Sequence, residues 1–116
     1  MLKNENCTTD YSKANPLTTS EISSLLNQIS SDWQILEING EPRLQKVFHF
    51  KNFSESLHFS NIIGKIAEEQ NHHPALLTEW GKTTVSWWTH VLHGLHRNDF
   101  IMAARTDEAY QSETDR

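Results

Sequence analysis

Cysteine is nearly absent from this chain: Cys7 is the only one. No internal disulfide can form, so packing and hydrogen bonds must hold the fold, and a reducing compartment suits it. Long apolar runs are missing too, and nothing approaches the roughly 20 residues of a membrane-spanning helix. The start, MLKNENCTTD, lacks the basic and apolar stretches of a secretory signal. A cytoplasmic protein with no membrane partner is expected. Basic residues are scarce, with 10 Lys and Arg against 15 Asp and Glu and a net charge of −5 with neutral histidines. That balance argues against nucleic acid as a direct partner, because phosphate backbones require concentrated cationic side chains. Repeats and low-complexity segments are absent as well.

Histidine is what the chain has in excess. Seven occur in 116 residues, and five of them (His72, His73, His90, His93, His96) fall within 25 positions. Imidazole titrates near neutrality, so proton chemistry or metal binding has to be weighed.

The length suits one domain with one core. Residues 1–15 and 108–116 are polar and show no apolar periodicity, which predicts a flexible N-terminal tail and a polar C-terminal tail around a domain at 16–107. Thr18-Thr19-Ser20-Glu21 has capping-box form and opens a helix carrying Ile22, Leu25, Leu26 and Ile29. Trp33, Ile35 and Ile38 suggest a strand, and Asn39-Gly40 a turn. Leu44, Lys46, Phe48 and Phe50 share one face of a second strand, with Pro42 expected to lengthen the connection beyond two residues. Asn52 caps a second helix whose Phe59, Ile62, Ile63, Ile66 and Ala67 form one apolar stripe. That helix should end near Gln70, with Asn71 as a left-handed cap and Pro74 forbidding continuation. Residues 75–80 and 83–91 read as two further strands joined by a turn at Gly81-Lys82, and Asp99 opens a last helix. The order is αββαββα. It predicts an α+β fold with a four-stranded antiparallel sheet and three helices on one face.

The stretch EEQNHHP, residues 68–74, concentrates titratable groups just past a helix end. Pro74 biases His73 towards extended backbone, so both imidazoles sit on a short, stiff turn suited to preorganised chemistry. Glu68 reads either as a solvated surface carboxylate or as a group that orients or charges a neighbouring imidazole. Taken singly, each histidine has an ordinary reading as a turn or strand residue. Together they carry more weight, because a strand ending near His90 could bring it beside the 72–74 turn.

At this point the residues resemble a known family, the pterin-4a-carbinolamine dehydratases. The resemblance rests on E-x-x-x-H-H-P from Glu68 to Pro74, Trp80, Thr89-His90, Gly94-Leu95 and Asp99. Upstream it includes Trp33, the G-E-P-R-L stretch from Gly40 to Leu44, Phe48-x-Phe50-x-x-Phe53 and Ala67-Glu68. It spans residues 17–107. It implies dehydration of 4a-hydroxytetrahydrobiopterin to quinonoid dihydropterin without metal or other cofactor. It places His72, His73 and His90 as catalytic histidines, and Asn71, Trp88 and Thr89 against the pterin with Glu68 beside it. Pro74 and Asp99 are expected in structural roles near the site, and His73 with His90 as the proton-transfer pair. Leu76, Trp87, Trp88 and His96 depart from the family's usual residues.

Two other readings remain. His90, His93 and His96 are evenly spaced, and His72 and His73 could join them in a metal site. A non-catalytic pterin-binding or protein-interaction module, acting through dimerisation or as a coactivator, is the other. The open face of a single sheet needs cover, and self-association into a dimer or tetramer is the economical one.

Overall fold

The computed structural model describes residues 1–114. Helix α1 (Thr19–Leu26), strands β1 (Gln34–Ile38) and β2 (Glu41–His49), helix α2 (Phe53–Gln70), strands β3 (Ala75–Glu79) and β4 (Lys82–Trp87) and helix α3 (Arg97–Thr114) follow in the expected order. The sheet is antiparallel with strand order β1-β2-β4-β3. Because α2 carries the chain across between β2 and β3, β3 becomes an edge and β4 lies beside β2.

The local signals act as the residues suggest. The Thr18 hydroxyl accepts from the Glu21 N–H and the Glu21 carboxylate accepts from the Thr18 N–H, so two orphan donors of α1 are satisfied reciprocally. The Asn52 side chain accepts from the Glu55 N–H to start α2. At its far end Asn71 takes φ 52° and ψ 41°, the left-handed conformation that Asn tolerates. The chain there turns back on itself, with the His72 N–H donating to the Ala67 carbonyl.

Two connections differ from expectation. β1 and β2 are joined by a two-residue turn, Asn39-Gly40, with φ 53° and 80°. Pro42 lies inside β2 opposite Glu37, beyond the Leu44–Trp87 pair where β4 stops, so its missing N–H faces no third strand. The β-branched and aromatic run after Gly81 does not stay in the sheet as far as Val91. β4 ends at Trp87, Thr89 forms an isolated bridge with Gly94, and His90–Leu92 is a single 3-10 turn. His90 is therefore a turn residue and not a strand residue. Gly94 is required by contact, because a Cβ there would meet Pro16 Cβ at 2.8 Å.

Alternation on the two central strands creates the core. Leu44, Phe48, Thr83, Val85 and Trp87 are buried beneath α2 and α3, together with Phe59, Ile63, Phe100 and Met102. Phe48 packs on Phe59 and Tyr110 at ring-centroid separations of 5.1 and 4.9 Å. Polar tips entering this core find partners. The Trp87 indole N–H donates to Thr106 Oγ1, and Asp107 accepts from both the Trp33 indole and Lys46. The opposite face of the sheet carries Leu36, Val47 and Leu77, all exposed.

The segment expected as a loose N-terminal tail lies against the domain. Leu2 is buried, the Cys7 N–H donates to Gln70 Oε1, and Thr8 exchanges two hydrogen bonds with the Asn98 side chain. The hydrogen bonds are polar and reach residues 63 to 90 positions away, so they leave no periodic apolar trace. Burial pushes the Cys7 thiol up to about 11, which keeps it a thiol at neutral pH. At the other end α3 continues through most of the expected polar tail, to Thr114.

Candidate active site

Asp99, completely buried, is the centre of the arrangement. Its Oδ1 lies 2.7 Å from His72 Nε2, and its Oδ2 accepts from the Thr89 hydroxyl and from the His96 N–H, each at 2.9 Å. An isolated buried carboxylate costs several kcal/mol, so three donors are what such a group requires. They come from the turn after α2, the segment after β4 and the entry to α3. One side chain thus ties together the parts of the chain that carry the histidines.

His72 is buried, with its ring stacked on Trp87 at 5.8 Å and an interplanar angle of 11°. The carboxylate fixes its hydrogen on Nε2, which leaves Nδ1 to face the Tyr11 hydroxyl at 3.5 Å. Tyr11 in turn accepts from Asn98 Nδ2 at 2.8 Å, and burial raises its phenol above the usual value. His73, the next residue, points outward and pairs with the Glu68 carboxylate from the last turn of α2. Both are solvent-exposed, so Glu68 is a surface carboxylate that also orients an imidazole.

His90 follows Thr89 directly. Its Nδ1 lies 2.9 Å from Glu41 Oε2, at the start of β2. Its ring thus takes a carboxylate from the β1–β2 hairpin, while its neighbour Thr89 shares Asp99 with His72. His72 and Thr89, the residues next to His73 and His90, thus meet at one buried carboxylate, while the His73 and His90 rings pair with Glu68 and Glu41. Asn71 is exposed at the helix cap. Trp88 is clasped on the outer sheet face by Arg43, whose Cζ stands 3.8 Å from the ring centroid. The Trp88 indole N–H and Arg43 Nε are buried without hydrogen-bond partners among the described residues. Thr89, expected against a ligand, is buried with its hydroxyl committed to Asp99. Pro74 ends the turn immediately before β3. Cavities of about 680 and 710 Å³ lie elsewhere, and neither includes residues 68–74 or 88–90.

His96 does not join His90 and His93. Its Nδ1 accepts from the Asn98 N–H, so the ring caps α3 in the place where a hydroxyl or carboxamide is usual. Burial holds its pKa below the ordinary value, with Asp99 opposing and His72 reinforcing that shift. Tyr11, Asn98 and Glu41 were not recognised from the sequence as part of this network. Only Glu41 had a signal, through its place in the G-E-P-R-L stretch.

Residues 15–109 match the family described as Pterin 4 alpha carbinolamine dehydratase. A protein of Microcystis aeruginosa with the provisional name pterin-4-alpha-carbinolamine dehydratase is 53% identical over 97% of this chain and 96% of its own. One from Marinobacter nauticus with the same provisional name is 50% identical over 94% of this chain and 97% of its own. A crystal structure titled transcriptional coactivator/pterin dehydratase, from Brucella melitensis, superposes with a TM-score of 0.73 at 28% identity, covering 83% of this chain and 99% of that one. A pterin dehydratase-like protein described as a RuBisCO assembly factor in the alpha-carboxysome shares the fold, with a TM-score of 0.57 at 20% identity over 68% of this chain and 89% of that one. The chain belongs to the pterin 4 alpha carbinolamine dehydratase family.

Two predictions follow from the Asp99 network. Asp99→Ala should destabilise the fold by ~3–5 kcal/mol in urea unfolding, because it leaves three buried donors unpaired. Asp99→Asn should recover much of that, since Oδ1 can accept from Thr89 and His96 while Nδ2 donates to a His72 ring carrying its hydrogen on Nδ1. An Asp99→Ala protein within ~1 kcal/mol of wild type would contradict the central place given to this carboxylate. His96, with its pKa depressed in the fold, contributes stability that is fully present above its unfolded value of 6.5. That contribution is lost as pH falls through the lower folded value. His96→Asn keeps a capping acceptor without a titrating ring, so its stability should fall less steeply than that of wild type below pH 6.5. Parallel stability–pH curves for the two proteins would count against the assignment.

Proposed function

We propose that this protein is a hydro-lyase that converts 4a-hydroxytetrahydrobiopterin to quinonoid dihydropterin and water by histidine acid–base catalysis. Family membership supports the reaction class. The single observation supporting these residues is the buried Asp99 carboxylate, which accepts from His72 on one oxygen and Thr89 on the other. The reaction removes the 4a-hydroxyl and the N5 proton of the substrate. An acid must protonate the departing oxygen and a base must take the N5 proton, tasks that groups titrating near neutrality do well. His73 and His90 are assigned these steps. Each is exposed, and each is paired with a carboxylate, Glu68 and Glu41, that orients its ring. His72 orients the turn through Asp99. Glu68, Asn71, Trp88 and Thr89 are assigned to the substrate's surroundings, with Thr89 contributing through its hold on Asp99.

The test is disappearance of 4a-hydroxytetrahydropterin generated in situ. His73→Ala and His90→Ala should each lose ~10²–10⁴-fold in rate, the usual contribution of one positioned proton transfer. Full activity in both, with loss only in His72→Ala, would refute the division of roles.

Self-association, and with it an interaction role, is supported by a different observation. Leu36, Val47 and Leu77 line the uncovered face of the sheet, with the last at 57% exposure, and Trp80 at the β3–β4 turn is 73% exposed. Sedimentation equilibrium should give a dimer or larger, and Leu77→Glu should shift it towards monomer. A wild-type mass of 13.4 kDa at micromolar concentration would exclude this.

A further inference from the structure

We propose that Glu41, His90 and His93 form a binding site for a divalent transition-metal cation, with zinc the simplest occupant. One donor atom from each residue lies within 4.8 Å of the others. Both histidine Nδ1 atoms face the same oxygen, Glu41 Oε2, at 2.9 Å from His90 and 3.4 Å from His93. Zinc binds imidazole nitrogen at ~2.0–2.1 Å and carboxylate oxygen at ~2.0–2.2 Å, so tetrahedral neighbours stand ~3.3–3.5 Å apart. The Glu41–His93 distance of 3.4 Å already has that spacing, and the Glu41–His90 distance of 2.9 Å is shorter than it. The rings are 5.4 Å apart with their planes at 66°, so they approach the shared point from different directions.

The backbone supplies this convergence. Glu41 is held by the tight Asn39-Gly40 turn, and its side chain is only 14% exposed. His93 takes φ 51° at the end of the 3-10 turn, with its N–H donating to the His90 carbonyl. The Thr89–Gly94 bridge closes the loop behind them. The imidazoles are 74% and 75% exposed, which leaves the remaining coordination positions to water. Two imidazoles and one carboxylate suit zinc, nickel or copper better than magnesium or calcium, which prefer all-oxygen sets. The evenly spaced third histidine is excluded, because His96 spends Nδ1 on the α3 cap, and a carboxylate from the sheet takes its place.

This site does not depend on the dehydratase reading. Where that reading holds, cation and proton compete for the His90 ring, so binding is best measured without activity. Tag-free full-length protein is titrated with zinc chloride against a chromophoric zinc chelator. One equivalent should bind per chain. Apparent affinity should fall at least about tenfold in His93→Gln and in Glu41→Gln, and stay unchanged in His58→Gln, whose ring pairs with Glu113 elsewhere. Thermal unfolding without zinc checks that each variant is folded, and added zinc should raise the Tm of wild type but not of His93→Gln. The proposal is overturned if wild type binds less than half an equivalent, if folded His93→Gln and Glu41→Gln bind as tightly as wild type, or if His58→Gln weakens binding equally.

Discussion

A carboxylate with no access to water has to be surrounded by donors, and Asp99 is such a group. Its three donors belong to residues 72, 89 and 96, which lie in three different segments of the chain. Satisfying that one side chain forces the end of α2, the exit from β4 and the entrance to α3 into contact. The same bonds set the hydrogen of His72 on Nε2 and seat its ring flat on Trp87. The neighbouring residues, His73 and His90, are left outside with exposed rings. Burial of one residue in each pair therefore positions the exposed histidine beside it.

The rest of the fold holds this junction rigid. β2 and β4 supply a buried face, and α2 and α3 cover it with Phe59, Ile63, Phe100 and Met102. Trp87 belongs to both regions, since its face carries His72 and its indole N–H reaches Thr106 on α3. The N-terminal segment closes the back of the network, where Asn98 is held by Thr8 and bonds the Tyr11 hydroxyl beneath His72. Four charged or polar side chains outside the core, Glu68, Glu41, Arg43 and Lys46, are each placed against a named partner.

The legible parts were those governed by neighbours in sequence. The caps at Thr18 and Asn52 and the left-handed Asn71 stand where the local pattern put them, because capping depends on groups three or four residues away. Strand alternation from Leu44 to Phe48 sorted core from surface for the same reason. The illegible parts depended on distant groups. Residues 88–91 look like strand by composition, yet Thr89 leaves the sheet to bond Asp99 and Gly94. Pro42 looks like a reason for a long loop, yet β4 ends before reaching it. Residues 1–15 look loose because polar hydrogen bonds to Gln70 and Asn98 have no periodicity to betray them.

By itself the sequence determined the αββαββα order, the stiff His-His-Pro turn and the family, because each is carried by short spacings that any reader of the chain can count. Tertiary structure alone decided which carboxylate meets which imidazole. His72 with Asp99, and His90 and His93 with Glu41, are pairings between segments, and no spacing along the chain encodes them. They arise because burying the sheet's inner face brings those segments together, and a buried charge then accepts only the arrangement that satisfies it.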